Sequence, residues 1–318
     1  MKLRRKVLIT VLVLLAGVLA ASLRLDVSPQ ELEARYATAP SRFVEVDGLR
    51  IHYRDQGQGP TLLLLHGSNA SLFTWEGWVR ELSENYRVIT LDLPGHGLTG
   101  PDARGRYTAD AMVEVVEAFR ARLGLEQFVL GGNSMGGSIS WRYALLHPQR
   151  VTRLVLVDAA GFPRDTPAPL VFRLMRAPVV GEVLSLFSPR WVIDRNLRAV
   201  YGEPSRVTEA LVEQYHALLL REGNRTATRE RMRAGGDDAR WKQLGELRMP
   251  TLVLWGAKDA WIPLEHGQRF ARAIPGARLI VYPELGHVPM EEDAARTARE
   301  LRGFLEASAP APTGHGTL

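Results

Sequence analysis

Ser134, Asp259 and His287 are side chains that together can cut a bond at an acyl carbon, and each stands in a setting that suits such work. Ser134 lies in Gly132-Asn133-Ser134-Met135-Gly136-Gly137, after the apolar run Phe128 to Leu130 and ahead of a helical pattern. A strand that turns sharply into a helix at a serine exposes the hydroxyl and pushes its backbone into strained angles. Side chains two residues away on either side would collide, hence the glycines. The N–H of Met135, opening the helix, points at developing negative charge. A serine hydroxyl is a poor nucleophile near neutral pH, so a base must take its proton and a carboxylate must fix the tautomer of the base. His287, in Leu285-Gly286-His287-Val288-Pro289, follows the strand Leu279 to Tyr282. Asp259, in Gly256-Ala257-Lys258-Asp259, follows the strand ending in Leu254-Trp255. Both therefore stand at carboxyl ends of strands, on the rim that carries Ser134, and the order Ser, Asp, His is the one this arrangement uses. Asp158, closing the run Val151 to Val157, is the rival acid.

His66-Gly67-Ser68-Asn69 follows the apolar run Thr61 to Leu65, and a loop there can give a second oxyanion N–H, from Ser68. His66 itself reads as the holder of that loop, and His96, in Pro94-Gly95-His96-Gly97, as another loop organiser. No metal-ligand cluster or dinucleotide fingerprint occurs, so no cofactor is expected.

The elements that must position these residues alternate. Arg42 to Val46 and Arg50 to Arg54 form a hairpin about Asp47-Gly48. Thr61 to Leu65, Arg87 to Leu91, Phe128 to Leu130, Val151 to Val157, Thr251 to Leu254 and Leu279 to Tyr282 are short apolar runs, the signature of strands buried on both faces. Helical patterns run from Ala109 to Leu123 behind a Thr108 cap, from Met135 to about Leu146, from about Leu264 to Ala273, and from Ala294 to Leu305. Such alternation predicts an α/β fold, a mostly parallel sheet with helices on both faces. Between Phe162 and Met249 it stops, and helical periodicity such as Val207 to Leu220 predicts a helical cap over the carboxyl ends of the strands. The expected units are an anchor or signal segment (1–23), a connector (24–41), two core parts (42–162 and 250–306), a cap (163–249) and a disordered tail (307–318).

Composition sets limits. The 318 residues are 46% hydrophobic and 24% charged, enough for a sizeable core. With no cysteine, disulfides, thiolate metal sites and cysteine nucleophiles are excluded. A net charge of +5 raises a nucleic-acid partner, but no reader motif occurs. The arginines at 221, 225, 229, 231 and 233 interleave with Glu222 and Glu230 as on a solvated helix face. Lys2, Arg4, Arg5 and Lys6 precede an uncharged apolar run from Val7 to Leu23, which spans roughly 25 Å as a helix. An anchor leaves the rest extracytoplasmic, and a signal cleaved near Ala20 or Ser22 gives a secreted protein; either way the membrane is the first partner.

The combination of His66-Gly67, Asp92-Leu93-Pro94-Gly95-His96-Gly97, the Ser134 turn, Asp259 and His287 resembles the α/β-hydrolase superfamily from about Phe43 to Leu305. The resemblance implies a Ser134–Asp259–His287 triad with an oxyanion hole from the N–H groups of Ser68 and Met135. Serine at 134 argues against relatives with a carboxylate nucleophile. The first functional reading is a carboxylesterase or lipase-like enzyme on an apolar ester, with Leu170, Val171, Phe172, Leu174 and Met175 as pocket lining or cap packing. A second is a carbon–carbon hydrolase of vinylogous diketo acids: Asn133 to Gly137, Trp255 to Asp259 and Ile262-Pro263-Leu264 resemble such enzymes, although those relatives carry a more glycine-rich loop than His66-Gly67-Ser68-Asn69 and usually an aromatic residue where Val288 stands. A third is an inactive binding protein on the same fold.

Overall fold

Eight strands form one sheet in the computed structural model, which describes residues 25–163, 174–235 and 239–307. They are β1 (Ser41–Val46), β2 (Leu49–Gln56), β3 (Thr61–Leu65), β4 (Arg87–Leu91), β5 (Phe128–Asn133), β6 (Val151–Val157), β7 (Thr251–Gly256) and β8 (Arg278–Tyr282). Their spatial order is β1-β2-β4-β3-β5-β6-β7-β8. β2 is antiparallel to β1 and β4, and every other neighbouring pair is parallel. Asp47 and Gly48 have φ of +50° and +80°, the two left-handed residues a tight hairpin needs. β5 runs past the apolar signature through Gly131 and Gly132, where side chains are excluded. A Cβ on Gly131 would lie 2.8 Å from Leu64 Cδ2.

The core helices are α1 (Pro29–Tyr36), α2 (Glu76–Leu82), α3 (Ala109–Arg122) and α4 (Met135–Leu146). Between β6 and β7 come α5 (Pro178–Leu186), α6 (Arg190–Val200), α7 (Glu209–Leu219) and α8 (Asn224–Ala234), followed later by α9 (Leu264–Ala273), α10 (Pro289–Glu292) and α11 (Ala294–Glu306). The Thr108 hydroxyl caps α3 by accepting from Ala111 N at 3.2 Å, and Gly124, with φ +66°, lies just past its end. Val207 lies outside α7: Thr208 caps that helix by accepting from Leu211 N, so the helix begins two residues later than the sequence suggests. The sequence pattern also missed α2 and the 3-10 turn Leu72–Trp75 before it. Both are held by aromatic burial: Trp75 and Trp78 are fully buried, and Trp78 Nε1 donates to Thr297 Oγ1 at 2.8 Å.

β3 shows how the sheet holds its two layers. Leu63 and Leu65 pack with Met112, Val116 and Phe119 of α3, while Leu62 and Leu64 face Trp78 and Leu82 of α2 and Leu301 of α11. All four leucines are buried, and each contributes about 1.5–3 kcal/mol by leaving water.

Two arginines of the arginine-rich stretch depart from the solvated face expected of it, while Glu222, Glu230 and Arg233 are exposed. Arg225 and Arg229 are 7% and 6% exposed, so they belong to the interior of the cap. Arg225 pairs with Asp26 at 2.6 Å and donates to the carbonyls of Ser185 and Leu186, and Arg229 pairs with Glu182. Arg233 donates to the carbonyls of Arg176 and Ala177. The guanidinium groups act as tethers whose donors find carbonyls and carboxylates within the cap, while their stems cover apolar surface. The expected segment 1–23, the lining residues Leu170, Val171 and Phe172, and the tail beyond Ala307 lie outside the described residues. Among the described residues, no helix is long and apolar enough to cross a membrane.

Asp92, just after β4, is fully buried and fixes three segments. It accepts from Leu72 N, Leu98 N and His52 Nδ1, each at 2.7 Å. Burial alone would raise its pKa, but His52 beside it and the Leu72 N–H outweigh burial and hold it below the ordinary carboxylate value. A folded pKa below the unfolded one stabilises fully above the unfolded value and less as pH falls through the folded one. Asp92→Asn is therefore expected to cost about 3–5 kcal/mol at pH 7. The melting-temperature gap to wild type should narrow as thermal melts move below about pH 4.

Candidate active site

Ser134 occupies the turn between β5 and α4 with φ +52° and ψ −114°, a backbone conformation that L residues rarely adopt. Two glycines make the turn possible. A Cβ on Gly136 would lie 2.1 Å from the Leu65 carbonyl oxygen, and one on Gly132 would lie 2.3 Å from that of Gly136. Bonds from Ser134 N to Val157 O and from Ala160 N to Ser134 O, both 3.0 Å, tie the turn to the end of β6. The strained angle is thus over-determined by its surroundings.

His287 follows β8 and Asp259 follows β7, and their side chains meet. Asp259 Oδ2 lies 2.7 Å from His287 Nδ1, and the other carboxylate oxygen accepts from Trp261 N at 2.7 Å and Ile262 N at 3.0 Å. A carboxylate only accepts, so in the neutral imidazole Nδ1 carries the proton and Nε2 is the acceptor. Trp261 stacks along the imidazole, with ring planes 23° apart. The loop that carries His287 is clamped from three sides. Its carbonyl accepts from Asn133 Nδ2 at 2.9 Å, its N–H donates to Val200 O at 2.7 Å, and Glu292 accepts from Gly286 N and Gly202 N, each at 2.7 Å. Asn133 and Glu292 were not singled out from sequence, because their role lies in the backbone groups they bridge.

Asp158, the rival acid, is fully buried beside this pair with φ +43°. Burial first, and then the Asp259 charge, push its pKa well above the ordinary carboxylate value, so it is held neutral; its Oδ1 accepts from Gly256 N at 3.0 Å. Of the two carboxyl groups, Asp259 is the one whose oxygen lies within hydrogen-bond distance of His287 Nδ1. The side chains of Asp158, Asp259 and His287 offer donor atoms within 4.8 Å of one another, but a neutral carboxyl is a poor cation ligand.

His66 and His96 hold loops, as their sequence context implies. His66 Nε2 accepts from Leu93 N at 3.0 Å, so its Nδ1 donates to Gly67 O at 2.7 Å and sets the start of the Ser68 loop. Burial lowers the pKa of both imidazoles and keeps them neutral. Ser68 is exposed beside Asn69, whose φ is +59°, and Met135 is the first residue of α4, where N–H groups lack intrahelical acceptors.

Ser134 and His287 open into the same space. A cavity of about 150 Å³ is lined by both, with Gly67, Leu197, Tyr215 and Val288 around them. It shares Ile193, Asn196, Leu219 and Trp261 with a mainly apolar cavity of about 640 Å³, which Met175, Leu184 and Phe187 also line. On the Met135 side, Ser134 and His287 also border a cavity of about 670 Å³ with Tyr107, Arg142 and Arg231.

A sequence profile described as alpha/beta hydrolase fold matches residues 60–185. A 2-hydroxy-6-oxononadienedioate/2-hydroxy-6-oxononatrienedioate hydrolase of Klebsiella pneumoniae is 31% identical over 84% of this chain and 96% of its own. The crystal structure of a membrane phospholipase A, a bacterial virulence factor, superposes with TM-score 0.69 and 27% identity over 96% of this chain and 98% of that one. A thermophilic esterase from Thermogutta terrifontis superposes with TM-score 0.71 and 27% identity over 84% and 98%. The chain belongs to the α/β-hydrolase fold family.

Burial of Asp158 as a neutral acid carries a testable consequence. Below the ordinary carboxylate range both folded and unfolded chains hold its proton. Above that range the unfolded chain sheds it and the folded chain keeps it, so folding is penalised as pH rises. Asp158→Asn keeps a donor and an acceptor without that penalty. Its stability relative to wild type should therefore increase from pH 4 to pH 7, read by thermal melts of both proteins.

Proposed function

We propose that this protein is a serine hydrolase of carboxylic esters with an apolar acyl group. Ser134 is the nucleophile, His287 the general base, Asp259 the orienting acid, and the N–H groups of Ser68 and Met135 the oxyanion hole. The observation that carries the reading is the strained serine sharing one cavity with an imidazole whose Nδ1 is held 2.7 Å from a buried carboxylate. In this reading the bare Nε2 takes the hydroxyl proton as Oγ attacks the carbonyl carbon, and the tetrahedral oxygen receives the two N–H bonds. The imidazolium then gives its proton to the departing alkoxide. Water, deprotonated by the same imidazole, releases the acid and restores the hydroxyl.

The apolar chamber beyond Ser134 supports an acyl chain over a polar substrate. The esterase and the membrane phospholipase A support ester chemistry, and similarity to the latter extends over 96% of the chain. Together with the apolar run Val7 to Leu23, that extent supports a membrane-anchored enzyme acting outside the cytoplasm. A carbon–carbon hydrolase is the second reading, favoured by the 31% identity to the Klebsiella pneumoniae enzyme.

Turnover of p-nitrophenyl esters of increasing chain length tests the first reading, with loss of a vinylogous diketo acid chromophore testing the second. Ester turnover should exceed diketo-acid turnover, and Ser134→Ala should reduce it by about 10⁴-fold or more. A fluorophosphonate probe should label wild type and leave Ser134→Ala unlabelled. No ester turnover by folded, probe-reactive enzyme would defeat the ester assignment, and no labelling would defeat the serine mechanism.

A further inference from the structure

We propose that Arg231, reaching down from the cap, reads an anionic group on the substrate, a carboxylate or a phosphate, in the cavity on the Met135 side of Ser134. The proposal rests on the hydrolase reading for its site and adds the charge of the ligand. Three contacts fix the guanidinium: Nη1 to His96 Nε2 at 2.5 Å, and Nη2 to Ser68 Oγ at 2.6 Å and Asn69 Oδ1 at 3.3 Å. His96 has its Nδ1 proton on Pro94 O at 2.9 Å, so its Nε2 is a neutral acceptor. Every partner of Arg231 is therefore uncharged.

Neighbouring arginines differ in that respect. On the same helix Arg225 is matched by Asp26 and Arg229 by Glu182, and across the cavity Arg142 is matched by Asp110. Among the described residues no carboxylate forms an ion pair with Arg231. Burial lowers it to about 10, and of the groups around it only Tyr107 works the other way, so it stays a cation at neutral pH. Arg231 is half-buried, and a cation partly withdrawn from water with no counter-charge beside it favours a ligand that supplies one. Of the five N–H groups a guanidinium carries, the three contacts leave Nε–H and one Nη1–H without a protein partner. Arg231 lines the same cavity as Ser134 and His287, so an anion placed there would lie within reach of the reacting ester. Charge-assisted bonds from a guanidinium suit both carboxylate and phosphate.

Arg231 also holds the Ser68 loop, so loss of rate alone would not separate recognition from positioning. The ratio of anionic to neutral substrate does. Wild type, Arg231→Gln and Arg231→Lys are compared by kcat/KM on two matched pairs. Mono-p-nitrophenyl glutarate against p-nitrophenyl butyrate is the carboxylate arm; butyryl glycerol 3-phosphate against butyryl glycerol is the phosphate arm. In at least one arm the anionic-to-neutral ratio should fall about 10- to 100-fold in Arg231→Gln, with part retained in Arg231→Lys. The arm that responds identifies the anion. Calorimetric binding of glutarate and glycerol 3-phosphate to Ser134→Ala protein, with and without Arg231→Gln, reads the same contact without catalysis. Ratios unchanged in both arms, or neither anion binding to folded Ser134→Ala protein, would overturn the proposal even if neutral esters are cleaved. Anion binding lost on Arg231→Gln in a protein that cleaves no ester would uphold it and reject the ester reading instead.

Discussion

The left-handed backbone at Ser134 persists because there is nowhere else for the turn to go. Gly136 lies against the carbonyls that end β3, Gly132 lies against Gly136, and the serine's own backbone is bonded to the end of β6. Position 134 is therefore set by three strands at once. The cost of a strained residue is about 1–3 kcal/mol, and it is carried by the surrounding leucine-packed sheet. Because β3 runs directly into His66 and Gly67, the same close approach that makes the turn also brings the Ser68 loop over it.

The rest of the rim is stitched by backbone groups. Asn133, next to the serine, donates to the carbonyl of His287, and Val200 at the end of a cap helix accepts from the same residue's N–H. Glu292 joins the His287 loop to Gly202 with its two oxygens. The imidazole is thus located by the sheet, the cap and α10 together, with Asp259 fixing its rotation and tautomer. Asp158 lies beneath as a neutral spacer, which lets the charge reside on the carboxylate that touches the imidazole.

Much of this was legible in the sequence, for identifiable reasons. The strands of a parallel sheet are buried on both sides, so Thr61–Leu65, Arg87–Leu91 and Val151–Val157 read as apolar runs and fall where the runs do. The turn at Ser134 was legible because only glycine fits two residues away. What escaped depended on distant partners. Trp75 and Trp78 fold a segment with no apolar period by entering a layer that α11 completes. The arginines of α8 looked like a solvated face because acids alternate with them in sequence, whereas Arg225, Arg229 and Arg233 find Asp26, Glu182 and backbone carbonyls far along the chain.

The connector before α1 enters the molecule by way of the cap. Val27 exchanges backbone bonds with Leu220 and Glu222 at 2.7 and 2.9 Å, and Asp26 takes the guanidinium of Arg225, on the helix that also carries Arg231. Tension or torque on the chain ahead of residue 26 would be delivered to the roof over the serine before it reached the sheet. A chain trimmed to begin at Ser28 would keep its floor and lose the strap that steadies its roof.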